Sequence, residues 1–168
     1  MSLAASSSVR SRACSLAALA AGHEQLQVVG DPNTTVSGVQ YDSRLVEPGD
    51  LFVALPGSYC DGHTFVSDAL RRGAAAVMVE RIAPETVAAI VAPDTRALLP
   101  EVAARFYGQP SLELAVIGVT GTDGKTTTCY LVDAILREAG RTTGMVGTVS
   151  VRIAGHVVEH ETRQTTPE

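Results

Sequence analysis

One lysine occurs in this chain of 168 residues, and it lies in a glycine-rich segment. Residues 118–128 read Gly-Val-Thr-Gly-Thr-Asp-Gly-Lys-Thr-Thr-Thr, which places Lys125 directly after a glycine. In such a loop, successive backbone N–H groups converge on phosphate oxygens, and a lysine ammonium adds a compact positive charge. The hydroxyl of the next residue, Thr126, is of the kind that ligates Mg²⁺ beside a bound nucleotide. The pattern therefore predicts a site for a polyphosphate such as ATP, with Mg²⁺ at Thr126.

The elements that would position this loop lie on both sides of it. Residues 114–119 form an apolar, β-branched run of strand length, and the apolar residues at 131, 132, 135 and 136 have helical spacing. A strand over 113–119 and a helix over 126–139 would place the phosphates at the helix N-terminus, where partial positive charge favours them. The strict G-x-x-x-x-G-K-[ST] pattern is not met, because Val119 stands where its first glycine belongs. A glycine-rich turn with an incidental lysine is the alternative interpretation.

A second group of polar residues follows predicted strands in the first half of the chain. Tyr41-Asp42-Ser43-Arg44 comes at the end of a strand predicted over 35–41, and Asp61-Gly62-His63 comes after one predicted over 51–55. Ligands approach α/β sheets at such strand ends, and this one offers a carboxylate, a hydroxyl and a guanidinium. An Asp–Arg pair that only closes a turn is the alternative.

Three segments carry a resemblance to a known family. Residues 120–128 resemble the ATP loop of the Mur ligases and of the related folylpolyglutamate synthetases, with Asp123 where those enzymes more often have Asn. Residues 41–44, 48–57 and 61–63 resemble the amino-terminal domain of the MurE type, and MurF ligases share a weaker form of these pieces. Residues 161–168 resemble the Thr-Thr-Pro segment with which MurE enzymes hold the muramoyl peptide, with Gln164 in place of the more frequent Asn.

The resemblance implies site residues by position. Those expected to bind ATP are Gly121, Thr122, Asp123, Gly124, Lys125, Thr126 and Thr127, with Lys125 also catalytic and Thr126 a ligand of Mg²⁺. Those expected to bind the substrate are Tyr41, Ser43, Ser58, Tyr59, Cys60, Gln164, Thr165 and Thr166.

The implied activity is ATP-dependent amide-bond formation in peptidoglycan precursor synthesis. An enzyme of this type adds a diamino acid to UDP-MurNAc-L-Ala-D-Glu through an acyl phosphate. The family's carbamylated lysine has no counterpart here, since Lys125 belongs to the loop. We therefore expect an amino-terminal fragment that binds without turnover. A MurF-type ligase and a stand-alone nucleotide-sugar-binding module remain alternatives, and the choice between meso-diaminopimelate and L-lysine stays open.

Composition narrows the class of protein. With 45% hydrophobic and 18% charged residues, a net charge of −5 and a pI near 5.3, the chain is typical of a globular protein that does not bind nucleic acid. No apolar run reaches the roughly 18 residues of a membrane span. Three cysteines without a C-x-x-C pair favour a reducing cytoplasm over a disulfide scaffold, and the four histidines lack metal-ligand spacing. We expect a cytoplasmic monomer.

The fold class predicted is α/β, with a small mixed UDP-sugar-binding domain followed by the start of a P-loop (Rossmann-like) ATPase domain. The predicted divisions are a poorly ordered start and first helix at 1–25, the UDP-MurNAc-binding domain at 26–108, a linker at 109–112 and an incomplete ATP-binding domain at 113–168. Further predicted helices are at 12–21, 63–72 and 95–107; further strands are at 26–29, 75–79, 87–91 and 142–149, and a hairpin at 149–160 turns at 154–156.

Overall fold

The computed structural model describes residues 12–57, 60–82, 88–147 and 149–158. The chain divides into two compact units, Met1–Ala115 and Val116–Glu168. The predicted poorly ordered start, up to residue 11, lies outside the described residues. The predicted linker at 109–112 contains a 3₁₀ turn, Pro110–Leu112, shortly before the division between the units.

The first unit alternates strands with helices. Its strands are β1 (Cys14–Ser15), β2 (Gln27–Val29), β3 (Thr35–Val36), β4 (Gly38–Gln40), β5 (Asp50–Val53), β6 (Ala76–Val79) and β7 (Ala89–Val91). Its helices are α1 (Leu16–Ala20), α2 (Val66–Arg71) and α3 (Thr95–Phe106), with 3₁₀ turns at Ser43–Leu45 and Gly62–Phe65.

Within the described residues, the main sheet has five strands in the order β2-β7-β6-β5-β4. Strands β4 to β7 pair in parallel. Strand β2, the outer strand beside β7, is antiparallel to it. Strands β1 and β3 form a separate antiparallel pair. Because the four parallel strands run the same way, the segments that follow β4, β5, β6 and β7 all emerge at one edge of the sheet, which we call the carboxyl edge.

Both faces of this sheet are covered. Leu51 and Val53 of β5 face a core shared with α1 and α3, whereas Phe52 packs with α2 on the opposite face. Strands buried on both faces read as continuous apolar runs, which is why β5 and β6 were visible in the sequence. The mixed α/β class predicted for the chain is confirmed, with the sheet between two helical layers.

The second unit contains one long helix, α4 (Lys125–Glu138), and three strands among its described residues. Strands β8 (Gly144–Val146), β9 (Val151–Ile153) and β10 (His156–Val158) form an antiparallel ribbon in the order β10-β9-β8. Ala154 and Gly155 make the turn between β9 and β10, both with positive φ. His156, predicted to lie in that turn, is instead the first residue of β10 because the turn needs only two residues.

The strand predicted over 113–119 is wrong for this structure. These residues pair with no strand in the described ranges, and the side chains of Val116 and Ile117 are 72% and 60% exposed. An apolar β-branched run becomes a strand only when neighbours take up its backbone N–H and C=O groups, and β8 to β10 pair with one another instead.

Several other helices and strands begin or end at residues that differ from the prediction. The first helix begins at Leu16, not residue 12, because the Ser15 hydroxyl accepts the Ala18 N–H at 3.2 Å and caps it. The helix predicted over 63–72 opens with the 3₁₀ turn Gly62–Phe65, and the strand predicted over 35–41 is divided between β3 and β4. The strand predicted over 142–149 is the three-residue β8.

In the ranges that the structure describes, no helix has both the length and the apolar character needed to span a membrane.

Candidate functional site

The turn after β4 is shaped by its own polar side chains. Gln40 Oε1 accepts the backbone N–H groups of Tyr41 at 3.1 Å and Asp42 at 3.3 Å. Asp42 Oδ1 accepts the Arg44 N–H at 3.0 Å, which caps the 3₁₀ turn, and Arg72 from the end of α2 donates to the Arg44 carbonyl at 3.2 Å. The backbone at the carboxyl end of β4 is therefore held at several points.

Asp42 and Arg44 also form a two-pronged ion pair, with Nε to Oδ1 at 2.9 Å and Nη2 to Oδ2 at 2.6 Å. The hydrogen bond from Arg44 holds the pKa of Asp42 below its usual range. Two groups that the sequence offered as ligand contacts are thus engaged with each other. What the turn leaves for a ligand is the Tyr41 side chain, 56% exposed, and the Ser43 hydroxyl, which has no hydrogen-bond partner among the described residues.

The segment after β5 returns on itself, and its described residues, 54–57 and 60–62, are here called the loop. Pro56 and Asp61 form an antiparallel bridge, and the Gly62 N–H donates to the Leu55 carbonyl at 2.9 Å. The exposed Cys60 lies within this loop, whereas Ser58 and Tyr59, predicted with it to contact the substrate, fall outside the described residues. Since β4 and β5 are adjacent and parallel, Tyr41, Ser43 and Cys60 follow neighbouring strands at the carboxyl edge.

A network of side chains lies under this loop. Asp61 accepts the His63 N–H at 3.0 Å, lies 2.7 Å from His63 Nδ1 and forms an ion pair with Arg81. The Glu80 backbone N–H donates to His63 Nε2 at 2.9 Å, and a Glu80 carboxylate oxygen accepts the Thr95 N–H at 3.0 Å. Asp61-Gly62-His63 is recognisable as a motif in the sequence, whereas Glu80 and Thr95 belong to no pattern along the chain.

In the second unit, the glycine loop leads directly into α4. Gly124, with φ of 76°, precedes Lys125, the first residue of the helix. The seven residues predicted to bind the nucleotide, 121–127, are consecutive and exposed. The N–H groups in the first turn of a helix have no partner within the helix, so the start of α4 offers donors to an anion.

Lys125 turns back over its own loop. Its Nζ donates to the carbonyl oxygens of Gly121 and Thr122, the second at 3.1 Å. An ammonium has three N–H donors, so these two bonds leave one donor for a ligand at the loop. Asp123 is exposed and forms no ion pair with Lys125 in the described part of the chain. The predicted peptide-binding residues Gln164, Thr165 and Thr166 lie outside the described residues.

The described residues include no cluster of three or more His, Cys, Asp or Glu side chains that could hold a metal ion by themselves. Mg²⁺ does not require one, because it commonly takes one or two protein ligands and completes its shell with phosphate oxygens and water. The exposed Thr126 hydroxyl in the first turn of α4 fits that mode of binding.

Two family descriptions match the chain. "Mur ligase family, catalytic domain" matches residues 35–107, which hold the carboxyl edge, and "Mur ligase middle domain" matches residues 119–168, which hold the glycine loop. The chain belongs to the Mur ligase family.

Among its relatives, "UDP-N-acetylmuramoyl-L-alanyl-D-glutamate--2,6-diaminopimelate ligase" of Solibacter usitatus is 49% identical over 137 residues, and the enzyme of that name in Streptomyces coelicolor is 46% identical over 166 residues. These alignments cover 80% and 95% of this chain but 27% and 32% of the relatives. "UDP-N-acetylmuramyl-tripeptide synthetase" of Roseiflexus sp. is 44% identical over 87% of this chain and 30% of its own length. The chain thus spans about a third of the length of the relatives it matches.

Solved structures of Mur ligases also align with this chain. A structure of a UDP-N-acetylmuramoyl-L-alanyl-D-glutamate--2,6-diaminopimelate ligase aligns with a TM-score of 0.61 and 30% identity, over 75% of this chain and 26% of that one. MurF from Acinetobacter baumannii aligns with a TM-score of 0.55 and 36% identity, over 64% of this chain and 23% of that one.

Proposed function

We propose that this chain supplies the UDP-sugar-binding and ATP-binding parts of a MurE-type ligase, which joins a diamino acid to UDP-MurNAc-L-Ala-D-Glu at the expense of ATP. The observation that carries the proposal is the glycine loop that places Lys125 and Thr126 in the first turn of α4. The relatives' names support the substrate, and most of them support 2,6-diaminopimelate as the incoming amino acid.

At the glycine loop, the backbone N–H groups of residues 121–127 and the remaining Lys125 donor would bind the phosphates of ATP. Thr126 would hold Mg²⁺ through its hydroxyl, and the ion would neutralise phosphate charge. Lys125 has the catalytic role, because its ammonium can stabilise negative charge that develops on the transferred phosphoryl group.

At the carboxyl edge of the first unit, Tyr41 and Ser43 would contact the UDP part of the substrate. Both are presented by a turn that Gln40 and the Asp42–Arg44 pair hold in place. Ser58, Tyr59 and Cys60 would contact the same nucleotide, and Cys60 could do so through its backbone.

The reaction proposed for the whole enzyme activates the D-Glu side-chain carboxylate as an acyl phosphate, which the amine attacks with release of phosphate. Gln164, Thr165 and Thr166 would hold the peptide without neutralising its carboxylate. We also propose a cytoplasmic location and a monomer. The three cysteines are free thiols, in keeping with a reducing compartment.

A MurF-type ligase is the second candidate, because the structure aligns with MurF of Acinetobacter baumannii at 36% identity. Such an enzyme acts one step later on the same stem peptide, so the length of the preferred peptide distinguishes the two.

Calorimetric titration of the 168-residue chain tests the proposal. We expect saturable binding of UDP-MurNAc-L-Ala-D-Glu, weaker binding of UDP alone, and no preference for the tripeptide precursor. Ser43→Ala should weaken binding roughly five- to tenfold, the loss expected for about one hydrogen bond.

Ser37→Ala is the matched control, since Ser37 lies just before the amino end of β4 and Ser43 follows its carboxyl end. Tighter binding of the tripeptide precursor would favour MurF. Absence of binding to all three ligands would contradict the substrate site.

A further inference from the structure

His63 lies between Asp61, near the carboxyl-terminal end of the loop, and Glu80, which directly follows β6. Its ring is almost fully buried, with 7% of the side chain exposed. Because Nε2 accepts the Glu80 N–H at 2.9 Å, the ring proton of the neutral histidine is on Nδ1, where it is donated to Asp61 at 2.7 Å. One side chain thus connects Asp61, at the end of the loop, to the carboxyl end of β6.

The same connection continues to the start of the loop. The Glu80 side chain accepts the Thr95 N–H at 3.0 Å, and the buried Thr95 hydroxyl donates to the Ala54 carbonyl at 2.8 Å. Ala54 directly follows β5 and begins the loop. A chain of hydrogen bonds therefore runs beneath the loop and joins its two ends.

The described residues of the loop also have hydrogen-bond partners between those ends. The Gly57 N–H donates to the Cys60 carbonyl at 3.1 Å, and Arg96 from α3 donates to the Pro56 carbonyl at 2.8 Å. A Cβ at Gly62 would lie 2.6 Å from both the backbone N and O of Leu55. The outgoing and returning arms of the loop are therefore in close contact at these two residues. The Cys60 backbone is thus hydrogen-bonded to Gly57, on the arm of the loop that begins at Ala54.

His63 does not have the geometry of a catalytic base. Both of its ring nitrogens already have partners, and the ring is covered. A general base needs a free acceptor within reach of a substrate proton. Any effect of His63 on ligand binding is therefore indirect, exerted through Asp61 and the loop.

We propose that His63 is a positioning residue, which fixes residues 54–57 and 60–62 so that the Cys60 backbone is placed to contact the nucleotide of the substrate. The inference rests on the proposed function, since it takes the carboxyl edge as the UDP site. Histidine suits the role because its neutral ring presents a donor and an acceptor on opposite sides, so it can connect a carboxylate to a backbone N–H.

Two near-isosteric substitutions separate the two ring nitrogens. His63→Asn keeps a donor near the position of Nδ1 and loses the acceptor for Glu80, whereas His63→Gln keeps an acceptor near Nε2 and loses the donor to Asp61. His63→Ala removes both. We expect His63→Ala to weaken binding of UDP-MurNAc-L-Ala-D-Glu roughly 5- to 30-fold, and the two isosteres to fall between it and the unaltered chain.

The matched control is His23→Ala. His23 also pairs with a carboxylate, Glu101 at 2.6 Å, but it follows α1 and has no hydrogen bond or ion pair with the described residues of the loop. Calorimetry gives the dissociation constants, thermal melting reports global stability, and amide NMR resonances of Gly57, Cys60 and Gly62 report the loop. The proposal expects shifted loop resonances and weaker binding in the His63 variants, and neither in His23→Ala.

The outcomes are distinct from those of the proposed function. If the unaltered chain binds the UDP-sugar and the Asn and Gln variants bind it equally well, the positioning role is overturned while the substrate site stands. Equal weakening by His23→Ala would assign the effect to general destabilisation and would also overturn it. If the unaltered chain does not bind, the substrate site fails, and the positioning role for it fails with it.

Discussion

Asp61 accepts hydrogen bonds from both the backbone and the ring of His63 and pairs with Arg81. The bond from the His63 backbone N–H contributes most to lowering the pKa of Asp61 to about 2 from its usual 3.8, and the ring and Arg81 add to it. A carboxyl whose pKa is lower in the folded state stabilises the fold while it is ionised. This contribution is complete above pH 3.8 and is lost as the pH falls through about 2.

We therefore predict that Asp61→Asn lowers the melting temperature at neutral pH and that its difference from the unaltered chain shrinks between pH 3.8 and about 2. Thermal melts at a series of pH values measure both effects. Asp31→Asn is the control, since Asp31 lies in the exposed turn before β3, where an amide can still accept the Asn33 N–H. A difference that stays constant down to pH 2 would contradict the role of the charge.

At the level of elements, the start of α4 depends on one backbone conformation. Gly124 has φ of 76° and precedes the helix, and no atom lies within 4 Å of the place a Cβ would take. A side chain there would meet conformational strain but no collision. Gly140, after the other end of α4, has φ of 75° and the same open surroundings.

This equivalence allows a matched prediction. Gly124→Ala and Gly140→Ala should each destabilise the fold by about 1 to 2 kcal/mol, the cost of a left-handed conformation for a residue with a Cβ. Only Gly124→Ala should weaken Mg·ATP binding, because it disturbs the loop that presents Lys125. Calorimetry with Mg·ATP and thermal melts give the two quantities. Equal ATP affinity in both variants would argue against phosphate binding at this loop.

At the scale of the whole molecule, the two units differ in how much core they contain. Of the buried hydrophobic side chains in the described residues, all except Met145 lie before residue 116. In α4, Leu131 and Ile135 have the helical spacing of an apolar face, yet they are 58% and 67% exposed. The first unit therefore has a core of its own, whereas the second has little buried apolar surface to stabilise it.

We predict that residues 1–115 expressed alone fold cooperatively. The carboxyl edge lies entirely within them, so they should also bind UDP-MurNAc-L-Ala-D-Glu as the longer chain does. Circular dichroism during heating and calorimetric titration provide the measurements. A broad transition without a folded baseline would show that the first unit cannot fold by itself.

The sequence by itself determined the features that depend on residues close together in the chain. The glycine loop, the α4 helix and the apolar strands β5 and β6 were all predicted, because loop chemistry and periodicity are local properties. The same holds for the α/β class, since buried parallel strands alternating with helices leave a readable pattern. The motifs at 41–44 and 61–63 were found in the same way.

The tertiary structure decided which of those residues remain available for a ligand and what holds them. Of the two interpretations that the sequence left open for Asp42 and Arg44, the structure shows the ion pair; it also joins His63 to Glu80 across 17 residues and Thr95 to Ala54 across 41. It also left residues 113–119 without a partner strand in the described ranges. Hydrogen bonds between distant segments have no spacing or periodicity along the chain, and a strand forms only where the fold brings a neighbour beside it.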